Sequence, residues 1–368
     1  VRTTTDRETA LALVDAGSSL PSSWYTDADV FAEEQRQILR KGWHCVTHTG
    51  ALAEVGDNHL AEIAGVPIVL LRDRAGEIRG FLNICRHRAH PVVIEQGNRK
   101  HLQCHYHGWS YELDGSLLRA PRSNMEPVFD ASDLGLVPVQ VAVWGPMVWV
   151  NVDAQAPAFP SWVEGLPELM RDRGFDVDTC VAGPTHTWEI ACNWKVFQDN
   201  TIECYHCPTT HPEFAQLVEM DPRTHELAVG GRYWIHHKIP FRDGVDLSGI
   251  LHPEDDQGRA FYYYSWIYPG TYLQCYGNRF DIGSVRALAA DRIRFTHTTF
   301  VPKGTSAKSL ARLQQMLETD ATIHQDVDIC HRVQASHESG AAPAGRLMPG
   351  SEFLLTHLYK VGLELLAT

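Results

Sequence analysis

Two short pairs of metal-ligating residues constrain this chain more than anything else in it. Cys85 and His87 are separated by one residue, Cys104 and His107 by two, and sixteen residues lie between the halves. Each half needs its own loop, and the surrounding sequence supplies the strands to hold two loops side by side. The stretches WHCVTHTG, HLAEIAGVPIVLLRD, IRGFLNIC, HLQCHYHGWSYEL and LVPVQVAVWGPMVWVNVD are rich in β-branched and aromatic residues. Turn signals separate them, at Glu54-Val55-Gly56-Asp57, Arg74-Ala75-Gly76-Glu77 and Asp114-Gly115. The pattern predicts an all-β module over residues 41–153.

The order of ligand types matters as much as their spacing. A zinc finger pairs Cys with Cys and His with His. Here each half carries one of each, which suits a two-iron, two-sulfur centre with two thiolates on one iron and two imidazoles on the other. A structural zinc site is the competing reading. Gly108 and Trp109 follow the second pair, a small residue for close backbone approach and a large apolar one to shield the centre. His90, His101 and His105 lie nearby but off the pattern.

A second constellation sits at Asn193 to Pro212, NWKVFQDNTIECYHCPTTHP, which places Glu203, His206 and His211 within nine residues. Trp194, Phe197, Thr201, Cys204 and Tyr205 recur at steps of three and four and predict one buried helix face. On that reading Glu203 and His206 project from neighbouring helix positions, the helix ends or kinks at Pro208, and His211 lies just past that point. Two imidazoles with one carboxylate, leaving open positions, form the ligand set of non-haem iron(II) oxygenases. The carboxylate must come from elsewhere in the chain. The bland reading is a pair of helix-end histidines capping carbonyls.

Composition narrows the setting. A formal net charge of −13 argues against general binding to nucleic acid or anionic membranes. No apolar run is long enough to span a bilayer, and the first residues do not read as a secretory signal. The nine cysteines are scattered and do not resemble a disulfide framework, so a reduced cytoplasm is the expected location. At 368 residues the chain has room for a second domain, expected from residues 1–40 and 154–368 together.

That second domain reads as α+β. Residues 1 to about 40 predict a loop and then a helix, DVFAEEQRQILRKG, capped by Asp27 or Asp29. The segments LAVGGRYWIHHKIP, FYYYSWIYPGTYLQCY, FDIGSVRALAA and RIRFTHTTFVP predict a long antiparallel sheet. Alternation sends about half of its aromatic residues, Phe261 to Tyr276, to each face. SLARLQQMLETDATIHQDVDICHRVQASH has apolar residues at helical intervals throughout.

The motifs CRHRAH and CHYHGW, followed by NWKVFQDNTIECYHCPTTHP, make the chain resemble the catalytic α subunit of a Rieske non-haem iron oxygenase, the ring-hydroxylating family. The resemblance runs from Trp43 to the C-terminal helix. It implies a Rieske domain bearing one 2Fe-2S cluster on Cys85, His87, Cys104 and His107. It also implies a catalytic domain of twisted antiparallel sheet flanked by helices, with one mononuclear Fe(II) on His206, His211 and an acidic residue of the last helical stretch. Asp326 is the expected third ligand, Asp328 the alternative, and Asp320 a more distant one.

By the same resemblance the chain takes electrons from a ferredoxin or flavin reductase and uses dioxygen to attack a small organic substrate. It implies a homotrimer in which electrons cross a subunit boundary, with Glu203 as the acid bridging His107 of one subunit to His206 of the next. Asp199 and Asn200 are expected to line the iron site or hydrogen-bond around it, and Cys204 and Cys207 to be packing residues. Hydroxylation, by mono- or dioxygenation, of an aromatic or other small organic compound is the first reading, with aromatic hydrocarbon catabolism as its setting. Oxidative demethylation of a quaternary ammonium or methoxy compound is the second, and the tyrosine-rich strands could supply a cage for such a cation. A Rieske electron carrier without oxygenase activity is the reading of a different class.

Overall fold

The computed structural model describes residues 3–245 and 261–367. Its contacts divide the chain into two compact units, Arg40–Ala156 alone and Val1–Leu39 together with Pro157–Thr368.

The smaller unit is built of short antiparallel strands in three sheets. Ile78–Leu82, Val66–Arg72, Asp57–Ile63 and Gly97–Asn98 form one, His44–His48, Met147–Asn151 and Gln140–Trp144 a second. Leu102–Gln103, Ser110–Tyr111 and Leu117–Arg119 make the small third sheet, which holds the second Cys/His loop. Val69, Leu71, Phe81, Leu102, Tyr111 and Leu113 pack into one apolar core, and Cys85 and Cys104 belong to it. Removal of these side chains from water is what fixes the two loops in place.

The larger unit is organised by a seven-stranded antiparallel sheet. In spatial order its strands are Cys180–Ile190, Arg292–Pro302, Arg279–Ala289, Thr271–Tyr276, Phe261–Ile267, Trp234–Pro240 and Glu226–Gly231. Alternation divides the aromatic residues as expected: Phe261 and Tyr263 meet Phe175, whereas Tyr262, Tyr264, Tyr272 and Tyr276 line a cavity.

Away from the Asn193–Pro212 stretch, the helices depart from the sequence reading in three places. A helix at Thr3–Asp15 occupies residues expected to be loop. Asp27 does cap the next one, Ala28–Glu34, accepting the Asp29 N–H at 2.7 Å, but the last turn, Gln35–Leu39, is a π-helix. The long C-terminal stretch is two helices, Ala307–Glu318 and Ala321–Glu338, because the Asp320 side chain caps the second by accepting from the Thr322 and Ile323 N–H groups. Asp320 is thereby committed to ending and restarting a helix. No helix among the described residues is long and apolar enough to cross a membrane.

Candidate active site

The two Cys/His loops are near copies of one another. In the first, the Cys85 N–H donates to the His90 carbonyl at 2.9 Å and the Ala89 N–H to the Cys85 carbonyl at 3.0 Å. In the second, the Cys104 N–H donates to Trp109 at 2.8 Å and Gly108 to Cys104 at 3.1 Å. Both loops place their fifth residue in the left-handed region, with φ of 56° at Ala89 and 73° at Gly108. Glycine adopts that conformation freely, which is the physical reason for Gly108. Asn83 steadies the first loop, accepting from the Val92 and Val93 N–H groups and donating to the Val93 carbonyl.

The loops bury the sulfurs and expose the imidazoles. Cys85 and Cys104 are 3 % and 2 % exposed, while His87 and His107 are open to solvent with their Nδ1 atoms 3.1 Å apart. Trp109 stacks on His87, and the Tyr111 hydroxyl lies 3.3 Å from the Cys85 sulfur. Two thiols facing inward and two converging imidazoles facing outward fit a cluster with thiolates on one iron and imidazoles on the other. Electrons would then enter and leave at the exposed imidazole side.

In the larger unit, Asn193 caps the helix Trp194–Thr201, accepting the Lys195 N–H. That helix ends earlier than the periodicity implies, so Glu203 and His206 lie in the turn beyond it. Pro208 does not end a helix but opens one, Cys207–Thr210, at a position where its missing N–H costs nothing. Tyr205, expected on the buried face, is exposed. The turn nevertheless brings the imidazoles together, with His206 Nε2 3.2 Å from His211 Nε2.

The third donor comes from the helix Ala321–Glu338. Asp326 Oδ1 lies 3.0 Å from His211 Nε2 and 3.5 Å from His206 Nε2. Among the described residues these three form the one group of His, Cys, Asp or Glu side chains whose ligand atoms all lie within 4.8 Å of one another, as a single ion requires. An ion bound to each donor at about 2.1 Å with near-right angles separates them by about 3 Å, so the triangle fits a metal without rearrangement. Asp328 instead faces solvent and pairs with Arg332 at 2.8 Å.

Each donor is oriented by a partner behind it. His206 Nδ1 donates to Glu203 Oε1 at 2.5 Å, His211 Nδ1 to Gln325 Oε1 at 2.7 Å, and the Asn200 amide to Asp326 Oδ1 at 3.1 Å. These bonds leave the Nε2 lone pairs for a metal. Burial alone would lower the His206 imidazole, but hydrogen bonds with Asp326 and Glu203 outweigh it and raise the group to about 9. A metal therefore competes with a proton at this site. Gln325 went unseen in the sequence because nothing in its spacing separates it from other polar helix residues.

Asp199 corrects the expectation for its pair with Asn200. Asn200 lines the cavity, but Asp199 accepts hydrogen bonds from the Tyr25 and Tyr359 hydroxyls, both at 2.7 Å, and is not among the lining residues. Burial pushes its carboxyl up to about 6 against those bonds. The folded state thus holds this proton more tightly than the unfolded chain, so its contribution is greatest below about pH 4 and is lost as pH rises through 6. The stability difference between Asp199→Asn and wild type should grow in the variant's favour by up to about 3 kcal/mol from pH 4 to 7, read by denaturant unfolding at both pH values.

Cys204 and Cys207, expected as packing residues, are joined as a disulfide across the turn that carries His206. The remaining seven cysteines lie outside that disulfide and are buried.

The triad opens into a cavity of about 480 Å³ between the helices and the sheet. Tyr262, Tyr264, Tyr272, Tyr276 and Phe295 supply rings, and Glu203, Glu213, Asp320 and Asp326 supply carboxylates. Gly283 makes room for one of the rings: a Cβ there would lie 2.2 Å from Tyr272, whose hydroxyl meets His297 Nδ1 at 2.8 Å.

The comparisons with known proteins match both units. The Rieske [2Fe-2S] domain family matches residues 42–138, and the family of ring-hydroxylating α-subunit catalytic domains matches 177–368. The carnitine monooxygenase oxygenase subunit of Escherichia coli K12 is 31 % identical over 259 residues, 69 % of this chain and 67 % of that protein. The chloroplastic choline monooxygenase of Amaranthus tricolor is 26 % identical over 349 residues, 93 % of this chain and 76 % of that one. Among solved structures, the quaternary ammonium Rieske monooxygenase CntA with L-carnitine superposes with a TM-score of 0.82 at 24 % identity, covering 98 % of both chains. Naphthalene 1,2-dioxygenase from Rhodococcus sp. superposes at 0.80 and 20 %, again with 98 % of both covered. At such identities these structures speak to the fold.

The chain belongs to the ring-hydroxylating Rieske oxygenase α subunits. It is an oxidoreductase of the terminal oxygenase class, with a 2Fe-2S cluster and a mononuclear iron, supplied with electrons by a partner reductase or ferredoxin.

Proposed function

We propose that this oxygenase acts as a monooxygenase on a small quaternary ammonium compound, at a carbon beside the charged nitrogen. The lining of the cavity carries the reading: seven phenylalanine and tyrosine rings, four carboxylates, and neither lysine nor arginine among the described residues. Ring faces and carboxylates attract an onium ion, whereas a hydrocarbon would leave the carboxylates desolvated for no return. Similarity to carnitine and choline monooxygenases supports the same substrate class over the aromatic hydrocarbons expected first.

In this reading Cys85, Cys104, His87 and His107 hold the cluster, within an electron-carrying domain of residues 41–153. His206, His211 and Asp326 hold the mononuclear iron. The cluster supplies single electrons, and the iron supplies dioxygen activation. Glu203 and Gln325 keep each imidazole in the tautomer that presents Nε2, and Asn200 aims the carboxylate. Tyr262, Tyr264 and Tyr272 hold the cation and exclude water. We place the electron crossing between subunits of a homotrimer, with Glu203 also accepting from His107 of the partner subunit, and the protein in the cytoplasm. Inter-subunit electron transfer is named for one structure of the same fold.

Electron paramagnetic resonance of the dithionite-reduced protein, with nitric oxide added, tests the reading. Tetramethylammonium should perturb the iron-nitrosyl signal and naphthalene should not. The opposite response would restore ring hydroxylation, and a cluster signal without any nitrosyl in iron-loaded protein would favour the electron carrier.

A further inference from the structure

The sheet wall of the cavity carries a polar row that the metal centre does not use. His237, Tyr264, Gln274 and Asp281 are direct cross-strand neighbours on four adjacent strands. The first three line the cavity. Side chains so paired stand about 5 Å apart at Cβ and point to the same face.

Hydrogen bonding fixes what this row presents. The Glu219 carbonyl can only accept, so His225 Nε2, 2.6 Å away, is the donor. With that proton on Nε2, His225 Nδ1 offers the lone pair to which His237 Nε2, 3.0 Å away, donates. His237 is itself held neutral, because burial and the neighbouring imidazoles lower it to about 3. Its Nδ1 is therefore an unprotonated acceptor. Beside it, the Tyr264 hydroxyl is buried, on a residue only 5 % exposed, and has no hydrogen-bond partner among the described residues. A buried hydroxyl left unpaired is costly and calls for a ligand.

An acceptor and an unpaired hydroxyl on two paired residues of one sheet face match a group that both donates and accepts. We propose that the substrate is a hydroxylated onium monocation, its hydroxyl donating to His237 Nδ1 and accepting from Tyr264, and not a zwitterion that bears a carboxylate. This rests on the quaternary ammonium reading above and narrows it.

Charge decides against the carboxylate. The lining holds four acids and neither lysine nor arginine among the described residues. Burial would raise the Asp281 carboxyl, but His297 and Arg279 hold it below the usual carboxylate range, so it stays ionised. Arg279, two residues along the same strand, donates to the Tyr276 hydroxyl at 3.0 Å and offsets the Asp281 charge, so the pair leaves the four acids of the lining to set the field. A substrate carboxylate would meet neutral donors in a field of like charge.

The test is isothermal titration calorimetry on the full chain with both metal centres filled. The probes are choline, its deoxy analogue ethyltrimethylammonium, trimethylglycine and carnitine. Choline should bind about five- to tenfold more tightly than ethyltrimethylammonium, the worth of one or two neutral hydrogen bonds, and more tightly than either zwitterion. Tyr264→Phe, which keeps the ring, and His237→Phe should each narrow the affinity ratio between choline and its deoxy analogue measured on the same variant towards one. Equal affinity for choline and the deoxy analogue, or tighter binding of trimethylglycine, overturns this inference alone. Failure of every onium to bind overturns it together with the quaternary ammonium reading.

Discussion

Replacing Asp326 by alanine is expected to strip the mononuclear iron from the protein while the two-iron cluster stays in place. Asp326 is the one anionic member of the triad, and its Oδ1 sits against both Nε2 atoms. Without it, two imidazoles must hold the ion unaided. Loss of an outer partner alone costs about 10- to 100-fold in metal affinity, and loss of the ligand itself should exceed that. Turnover should fall to background. Asp328→Ala is the internal control: its carboxylate is exposed and paired with Arg332 one turn away, where solvent screens the attraction. Iron content per chain, with the nitrosyl and cluster signals measured on the same samples, checks both variants. Iron loss in Asp328→Ala with retention in Asp326→Ala would show that the other face of this helix supplies the ligand.

The second large effect concerns stability. The ammonium of Lys195, on the helix that leads to the iron turn, is 2.7 Å from Glu34 Oε1, with the two side chains 5 % and 1 % exposed. Glu34 also accepts from the Trp194 indole at 2.9 Å, and Lys195 donates to the capping Asn193. Glu34→Ala leaves a buried ammonium without its counterion and an indole N–H without its acceptor. A loss of about 3–5 kcal/mol is expected from the charge alone. Removing both charges, as Glu34→Leu with Lys195→Met, should recover most of this, because the desolvation cost disappears with the attraction. Urea unfolding of the two variants measures it, and a double variant as unstable as the single one would show that packing, not charge, dominates the site.

Much of the active site was legible because its parts are local. Cys85 with His87, Cys104 with His107, and His206 with His211 are each brought together by a turn of six residues or fewer, so their types and spacings announce them. The α+β architecture was legible for a related reason, since alternation over Phe261 to Tyr276 and helical periodicity after Ser306 are short-range patterns. Local conformation was less secure where two readings share one pattern. The apolar spacing from Trp194 to Tyr205 suits a continuous helix, yet the chain leaves the helix after Thr201 and reaches His206 through a turn tied by the Cys204–Cys207 disulfide. Asp320 looked like any other acid on a helix, and only its cap geometry shows that it divides two.

By itself, then, the sequence determined which residue types could gather around metals and which segments would be strand or helix, because those depend on neighbours a few positions apart. Tertiary structure decided the rest. Whether Asp326 or Asp328 meets the imidazoles depends on how one helix is rotated against a turn more than a hundred residues earlier. Asp199 and Asn200 are adjacent in the chain but face two tyrosines and the cavity respectively, because consecutive helix positions point about 100° apart. The polar row from His237 to Asp281 exists only because four strands pair in one register. Register is a long-range outcome of burying one sheet face, and a one-residue slip would have turned the row away from the cavity.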